Sequence, residues 1–272
     1  MPFTLAHPAA VIPLARTKLL VSALVAGSLT PDFLYFVPGA FDHNFSHTLP
    51  GLALFCIPVG LIWLLLFHRV MKVPLLSLVP NNPRNMLAPH ISEFAFGPWR
   101  RFLLVLLSLT VGSLTHLAWD SFTHERGLVV ANVALLKVVV IQTSLGAIRV
   151  FKLLQHASTV AGCAALWLWY LRWAKGAKRI DDVCDEAFAR RDACDPRKVT
   201  WILATSAFVT GLTGAYIASR SLNGLPWAQS FANRSILITM GVLFVELLLF
   251  SAYWHLSLNN TRAINSAKHG EF

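Results

Sequence analysis

The sequence predicts an all-α, polytopic membrane helical bundle of about five transmembrane helices plus short half-spanning or interfacial helices. Charged residues make up 13% of the 272-residue chain and hydrophobic residues 56%, whereas a water-soluble domain carries about a quarter charged. Mean hydropathy is correspondingly high, at +0.58. Apolar runs near the ~20 residues needed to cross a bilayer recur along the chain. The nine tryptophans suit anchoring of helix ends at the lipid interface.

The N-terminal stretch MPFTLAHPAAVIPLARTK has no basic residue before its first apolar segment and no small-residue cleavage pattern, so no cleaved signal peptide is expected. Residues 19–29 are apolar but stop at Thr-Pro-Asp, enough for a helix reaching partway across. Residues 49–71, 101–122, 150–173 and 234–255 are each long enough to span. Residues 201–219 form a weaker fifth span, diluted by Thr and Gly but free of charge until Arg220. Residues 128–148 are apolar yet carry Lys137, which suits an interfacial or re-entrant segment.

These segments imply three regions: a metal-site helical membrane domain over residues 1–174, a charged cytoplasmic loop over 175–198, and a C-terminal helix pair with its tail over 199–272. With five spans, 15 of the 23 Lys and Arg fall on one side and eight on the other. The excess of basic loops places the C-terminus in the cytoplasm and the opposite side in the periplasm, as for a multi-pass protein of the bacterial inner membrane. This topology also accounts for the net charge of +10. Nucleic acid is not an expected partner, because the sequence has no recognition motif and no basic face beyond those loops. Of the four cysteines, Cys56 and Cys163 lie in apolar runs and Cys184 and Cys194 in the charged loop; no C-x-x-C pair is present.

The informative residues are polar ones at the ends of apolar runs. In SLTHLAWDSFTHERG, His116 and Asp120 are i, i+4 and share one helix face; Thr123 continues that face and His124 is rotated by about 80°. An imidazole and a carboxylate stacked in this way form a two-point grip on a divalent cation. In GSLTPDFLYFVPGAFDHNFSHTLPG, Pro31 ends the first apolar helix and leaves Asp32 at its edge, while His43 and His47 repeat the i, i+4 spacing. His7 sits beside a proline near the start of the chain, and His156 opens the third long span. On the expected topology all eight residues lie on one side of the membrane. Each has a plainer reading too: a histidine at a bilayer boundary is commonly interfacial, Asp32 can cap a turn, and Asp120 can pair with Arg126. Ionisable groups at membrane depth cost about 2.5–3.5 kcal/mol on insertion scales, so their clustering favours a joint site. His68, His90, His255 and His269 fall outside it. Glu246, in the middle of a span, is expected to hydrogen-bond Thr210, Thr213 or Tyr216 on the preceding one.

The segments MPFTLAHPA, GSLTPDFLYF, FSHTLPG, LTHLAWDSFTH and FKLLQHAST, spread over roughly residues 1–165, together resemble a bacterial family of membrane proteins of unknown function. That family is similar to the membrane-bound metal-dependent hydrolases, with their spaced H…PD…H…H-x-x-x-D pattern, and more distantly to the zinc-dependent phospholipase C fold. The resemblance implies His7, Asp32, His47, His116 and Asp120 as metal ligands, with His156 a sixth. His43 and His124 match less closely and, with Asp120, are the expected catalytic groups. The chain lacks a clear second H-x-x-x-E pair and an N-terminal Trp, which implies one or two ions, of zinc or another divalent metal, in place of three.

The expected function is therefore metal-dependent hydrolysis of a phosphoester in a membrane lipid or lipid-linked substrate. Arg126, Lys137, Arg149 and Lys152 lie on the same side and are suited to hold phosphate. The alternative is a non-catalytic membrane protein, either a metal or proton transporter or a structural envelope component.

Overall fold

The computed structural model describes residues 4–36, 44–79, 81–87, 94–143, 146–176, 196–220 and 227–269. His43, His90, Cys184, Cys194 and most of the charged loop lie outside the described residues. The described residues are predominantly helical, and the chain divides into two compact units, one drawn from Met1–Leu64 and Ala95–Gly176, the other from Leu65–Phe94, Ala177–Asn223 and Trp227–Phe272.

The first unit opens with a 3-10 helix, Thr4–Arg16, whose Pro8 and Pro13 remove the amide donors that an α-helix would use. Helix α1, Val21–Leu29, follows and passes directly into a second 3-10 segment, Thr30–Phe36. Pro31 sets that boundary, and it brings Asp32 into the interior. A 3-10 turn, Phe45–His47, then leads into helix α2, Leu49–Leu78. Thr48 caps α2 by accepting a hydrogen bond from the Gly51 amide at 3.1 Å. Two π-wound stretches, Leu52–Cys56 and Phe67–Met71, interrupt its regular winding.

Helix α3, Asn81–Leu87, belongs to the second unit, and helix α4, Trp99–Thr123, is the long central element of the first. Helices α1 and α4 cross at backbone contact. A side chain at Gly27 would meet the Leu109 carbonyl, and one at Gly112 the Leu24 carbonyl. Hydroxyls stitch the crossing: the Leu20 amide donates to Ser108 Oγ at 3.0 Å, and Ser113 Oγ donates to the Gly27 carbonyl at 3.1 Å. Small residues let backbones approach where no hydrophobic effect drives helices together.

Residues 128–149, expected to be interfacial or re-entrant, contain two short strands in an otherwise helical unit. A short helix α5, Leu128–Asn132, and a 3-10 turn, Ala134–Lys137, lead into an antiparallel hairpin of β1, Val139–Thr143, and β2, Gly146–Arg149. The β-branched run Val138–Ile141 favours a strand, and Gly146 adopts φ +124°, open to glycine without strain. Helix α6, Val150–Gly176, closes the unit by packing against the N-terminal 3-10 helix.

In the second unit, helices α7, Pro196–Arg220, and α8, Trp227–His269, pack on each other, and α8 also contacts the end of α2. His255 Nε2 donates to the Val70 carbonyl at 3.0 Å, within the second π-wound stretch of α2. Glu246 does not find the threonines expected of it. Thr210 and Thr213 donate to the carbonyls of Ser206 and Val209 in their own helix, and Glu246 Oε2 is buried without a hydrogen-bond partner. A threonine's i−4 carbonyl is always within reach, so it outcompetes a side chain on another helix.

Among the described residues, four helical stretches are long and apolar enough to cross a membrane: Leu49–Leu78, Trp99–Asn132, Val199–Tyr216 and Leu237–Ser257. Helix α6 has the extent expected of a fifth span, but Gln155, His156 and its tryptophans dilute its apolar character. Large apolar side chains such as Leu54, Ile62, Leu103, Leu107, Phe208 and Leu249 are exposed, while Ser28, Thr30, Ser108, Ser113 and Thr123 are buried. In water this arrangement would be inside out. In lipid it is the stable one.

Candidate metal centre

Four side chains from three segments of the first unit converge. Asp32 comes from the 3-10 segment after α1, His47 from the turn before α2, and His116 and Asp120 from one face of α4. Each offers a donor atom, and those four atoms lie within 4.8 Å of one another.

His116 is fully buried, and its Nδ1 lies 2.7 Å from the Ser28 carbonyl. A carbonyl only accepts, so Nδ1 carries the proton and Nε2 is turned inward. There Nε2 has no hydrogen-bond partner, although Asp120 Oδ2 lies at 3.2 Å and Asp32 Oδ1 at 3.6 Å. The atoms are close but not aligned on one another; they point at a common centre. His47 Nε2 completes the set at 3.4 Å from Asp120 Oδ2 and 3.6 Å from Asp32 Oδ1. Donors arranged tetrahedrally at metal bond lengths of about 2.0–2.1 Å sit ~3.3–3.4 Å apart; these four contacts run from 3.2 to 3.6 Å. Two imidazoles and two carboxylates suit zinc and neighbouring divalent transition metals. The residues thus have the composition, convergence and buried unpartnered nitrogen that a cation site requires.

The local field agrees. Burial opposes ionisation of Asp32, but the His116 and His47 nitrogens outweigh it and hold the carboxyl below its usual range. Burial likewise disfavours charge on His47, yet Asp120 and Asp32 push its pKa up to about 9. The two carboxylates that retain a proton there would attract a cation in its place.

Three more groups surround the four. His7 Nε2 makes a hydrogen bond with Asp120 Oδ1 at 3.1 Å, and its ring stacks on His116 with centroids 3.9 Å apart. His124, just past the end of α4, places Nδ1 3.2 Å from the same Asp120 oxygen. Trp119 lies 5.6 Å from the His7 ring and donates through Nε1 to Ser158 Oγ of α6 at 3.2 Å. The side chains of His7 and His116 are 1% and 0% exposed, those of His47 and His124 23% and 31%. The centre is therefore closed on the His7 side and open on the His47–His124 side.

Of the residues expected from sequence, Asp32, His47, His116 and Asp120 form the group, and His7 and His124 border it on Asp120. His43 lies outside the described residues. His156 does not join: on α6 it is Phe151 and Gln155, one turn apart, that face inward, and His156 is rotated out to the surface. Three of the basic residues make other contacts: Arg149 pairs with Glu125 at 3.2 Å, Lys152 donates to Gln155 Oε1 at 3.1 Å and Lys137 to the Ala131 carbonyl at 2.7 Å. The sequence reading missed Thr4, which donates to Asp32 Oδ2 at 2.6 Å, and the Ser28 carbonyl. Thr4 was detectable in principle, because it stands three residues before His7, and a 3-10 helix brings i and i+3 into line.

Fold and site together define a polytopic, predominantly helical membrane protein with a buried histidine–carboxylate cluster able to hold a metal ion. The chain belongs to the family described as a domain of unknown function, DUF4184, which it matches over residues 1–252. No curated protein and no solved structure matches it.

Proposed function

We propose that this protein is a membrane-embedded, metal-dependent hydrolase of the phosphoester in a lipid or lipid-linked substrate. The observation that carries the reading is the inward-facing, unpartnered Nε2 of His116, buried between two carboxylates in a site open on one edge. Asp32, His47, His116 and Asp120 would hold the cation, zinc being the first candidate. When bound, such an ion supplies Lewis acidity and lowers the pKa of coordinated water toward ~7.

The protein's own groups divide the remaining work. Asp32 and Asp120 supply negative charge. Ser28 fixes the His116 ring through its carbonyl. His124, hydrogen-bond distance from Asp120 Oδ1 on one ring nitrogen and half-exposed, is placed to pass a proton at the open edge. The exposed apolar surface favours a substrate that arrives from the bilayer.

The test uses the full-length protein purified in detergent without chelator. Elemental analysis is expected to find bound divalent metal. A chromogenic phosphomonoester, a phosphodiester and a phospholipid in mixed micelles are then assayed before chelation, after it, and after zinc is restored. Metal-dependent release from any of them supports the reading. Bound metal with no release favours a non-catalytic membrane protein, and absence of metal removes the basis for the hydrolase. The site is proposed to face the periplasm, so a reporter fused after Phe272 should behave as cytoplasmic; a periplasmic signal would invert the orientation.

A further inference from the structure

We infer that the hairpin of β1 and β2 is a bilayer-docking element: it dips its apolar side chains into the lipid interface and gathers anionic headgroups at its base, beside the open edge of the centre. In a strand with one face on a protein core, exposure alternates from residue to residue. From Val138 through Ile141 it does not, since these four residues are all 46–50% exposed. The register explains part of this. Val139 lies opposite Arg149 and Ile141 opposite Ile148, so Val140 is the extra residue of a bulge. Leu135, in the turn before β1, is exposed as well and extends the patch. Neither face of this run is covered by the described residues.

Two constraints decide what covers it. A contiguous apolar run of this kind is badly placed in water. The hydrocarbon core is equally closed to it: among the described residues the sheet has two strands, so each strand keeps one backbone edge with no strand beside it. At the interface both demands are met, because the valines face acyl chains while the strand edges reach water and headgroups. Charge agrees. From His124 to Lys152 there are four basic residues, Arg126, Lys137, Arg149 and Lys152, against one acidic, Glu125. Arg126 and Lys137 are exposed. Each basic group near an anionic bilayer surface favours the docked state about fivefold.

The attachment of the hairpin gives it a bearing on the centre. The Val150 amide donates to the Val138 carbonyl at 3.0 Å, which ties the hairpin base to the start of α6. Arg149 pairs at 3.2 Å with Glu125, the residue after His124 at the open edge. A headgroup drawn to this base therefore lies next to the opening, and the substrate class of the proposed hydrolase becomes an anionic phospholipid. That last step rests on the hydrolase reading; the docking itself does not.

The experiment places a polarity-sensitive NBD fluorophore on Val140→Cys in the full-length protein carrying Cys163→Ser, Cys184→Ser and Cys194→Ser. Cys56 is fully buried and is retained. The protein is reconstituted into vesicles of phosphatidylcholine, alone or mixed with phosphatidylglycerol. Lipids with a nitroxide near the headgroup are expected to quench the probe more than lipids with one near the chain end, and more than aqueous iodide. Dominant iodide quenching would put the hairpin in water, and dominant deep quenching would put it in hydrocarbon. Protection from all three would put it under protein, such as a second copy. Each of these outcomes overturns the inference. Phosphatidylglycerol is expected to move the probe from iodide-quenched toward lipid-quenched. Arg126→Gln with Lys137→Gln should reverse that shift about fivefold per charge removed and change nothing in phosphatidylcholine alone. A wild type indifferent to phosphatidylglycerol, or a double variant matching wild type in both lipids, would overturn the headgroup half of the inference. If the double variant does not fold, the wild-type comparison of the two vesicle types decides alone. No measurement here involves metal, so a failed hydrolase reading and a failed docking surface give distinct results.

Discussion

Asp120→Asn is expected to reduce bound metal to background and to abolish any metal-dependent hydrolysis. Asp120 is the most connected residue of the centre. Its Oδ2 lies 3.2 and 3.4 Å from His116 and His47, and its Oδ1 3.1 and 3.2 Å from His7 and His124. Asparagine is nearly isosteric, so packing survives. What disappears is one of two negative charges, and an amide nitrogen then points either at the inner imidazoles or at the outer ones. Loss of a supporting contact costs about 10–100-fold in affinity, and loss of a direct ligand should cost at least as much. His68→Ala is the control: it removes an imidazole stacked 4.1 Å from the Phe94 ring, in the other unit, and should leave metal content unchanged. Full metal retention in Asp120→Asn, or equal loss in His68→Ala, would show that the grouping is wrong.

Gly112→Val is expected to have the second largest effect, through backbone packing and not through chemistry. The added side chain would run into the Leu24 carbonyl and the Ser28 amide of α1, neither of which can swing aside as a flexible side chain would. The helices must part, and overpacking of this kind costs about 1–3 kcal/mol or more. Parting them also withdraws the Ser28 carbonyl from His116, 2.7 Å away, and so frees the ring that the centre depends on. Thermal unfolding in detergent should shift down by several degrees, with metal lost in parallel. Gly176→Val, where nothing lies within 4 Å of the new side chain, should do neither. A stable, fully metallated Gly112→Val protein would mean that the crossing does not position the site.

Much of the fold was legible because lipid imposes simple rules. The apolar runs at 49–71, 101–122, 150–173 and 201–219 lie within helices at 49–78, 99–123, 150–176 and 196–220, and the run at 234–255 within a much longer helix, 227–269. The pairing of His116 with Asp120 was legible from the period of the helix alone. Asp32 and His47 stood out as polar residues next to a proline and at the foot of a span. The hairpin at 139–149 was hidden because an apolar run of β-branched residues reads equally as buried helix or as strand. That His156 faces outward was not legible, because a helix shows its own period in sequence but not its azimuth. For Thr4 the sequence offers only its i, i+3 spacing to His7; that its hydroxyl meets Asp32 is set by the tertiary fold.

His7 and Asp120 touch although 113 residues separate them, and this has a bearing on how the protein is made. At roughly 5–20 residues per second of synthesis, the N-terminal turn exists for about 6–23 seconds before its carboxylate partner on α4 has been translated. If the cluster holds a cation, loading must therefore follow insertion of α4, and the N-terminal turn has to stay available until then. A bulky fusion at the N-terminus, or early engagement of that segment by another protein, would intervene in this interval. The result would be an inserted, helical and empty protein.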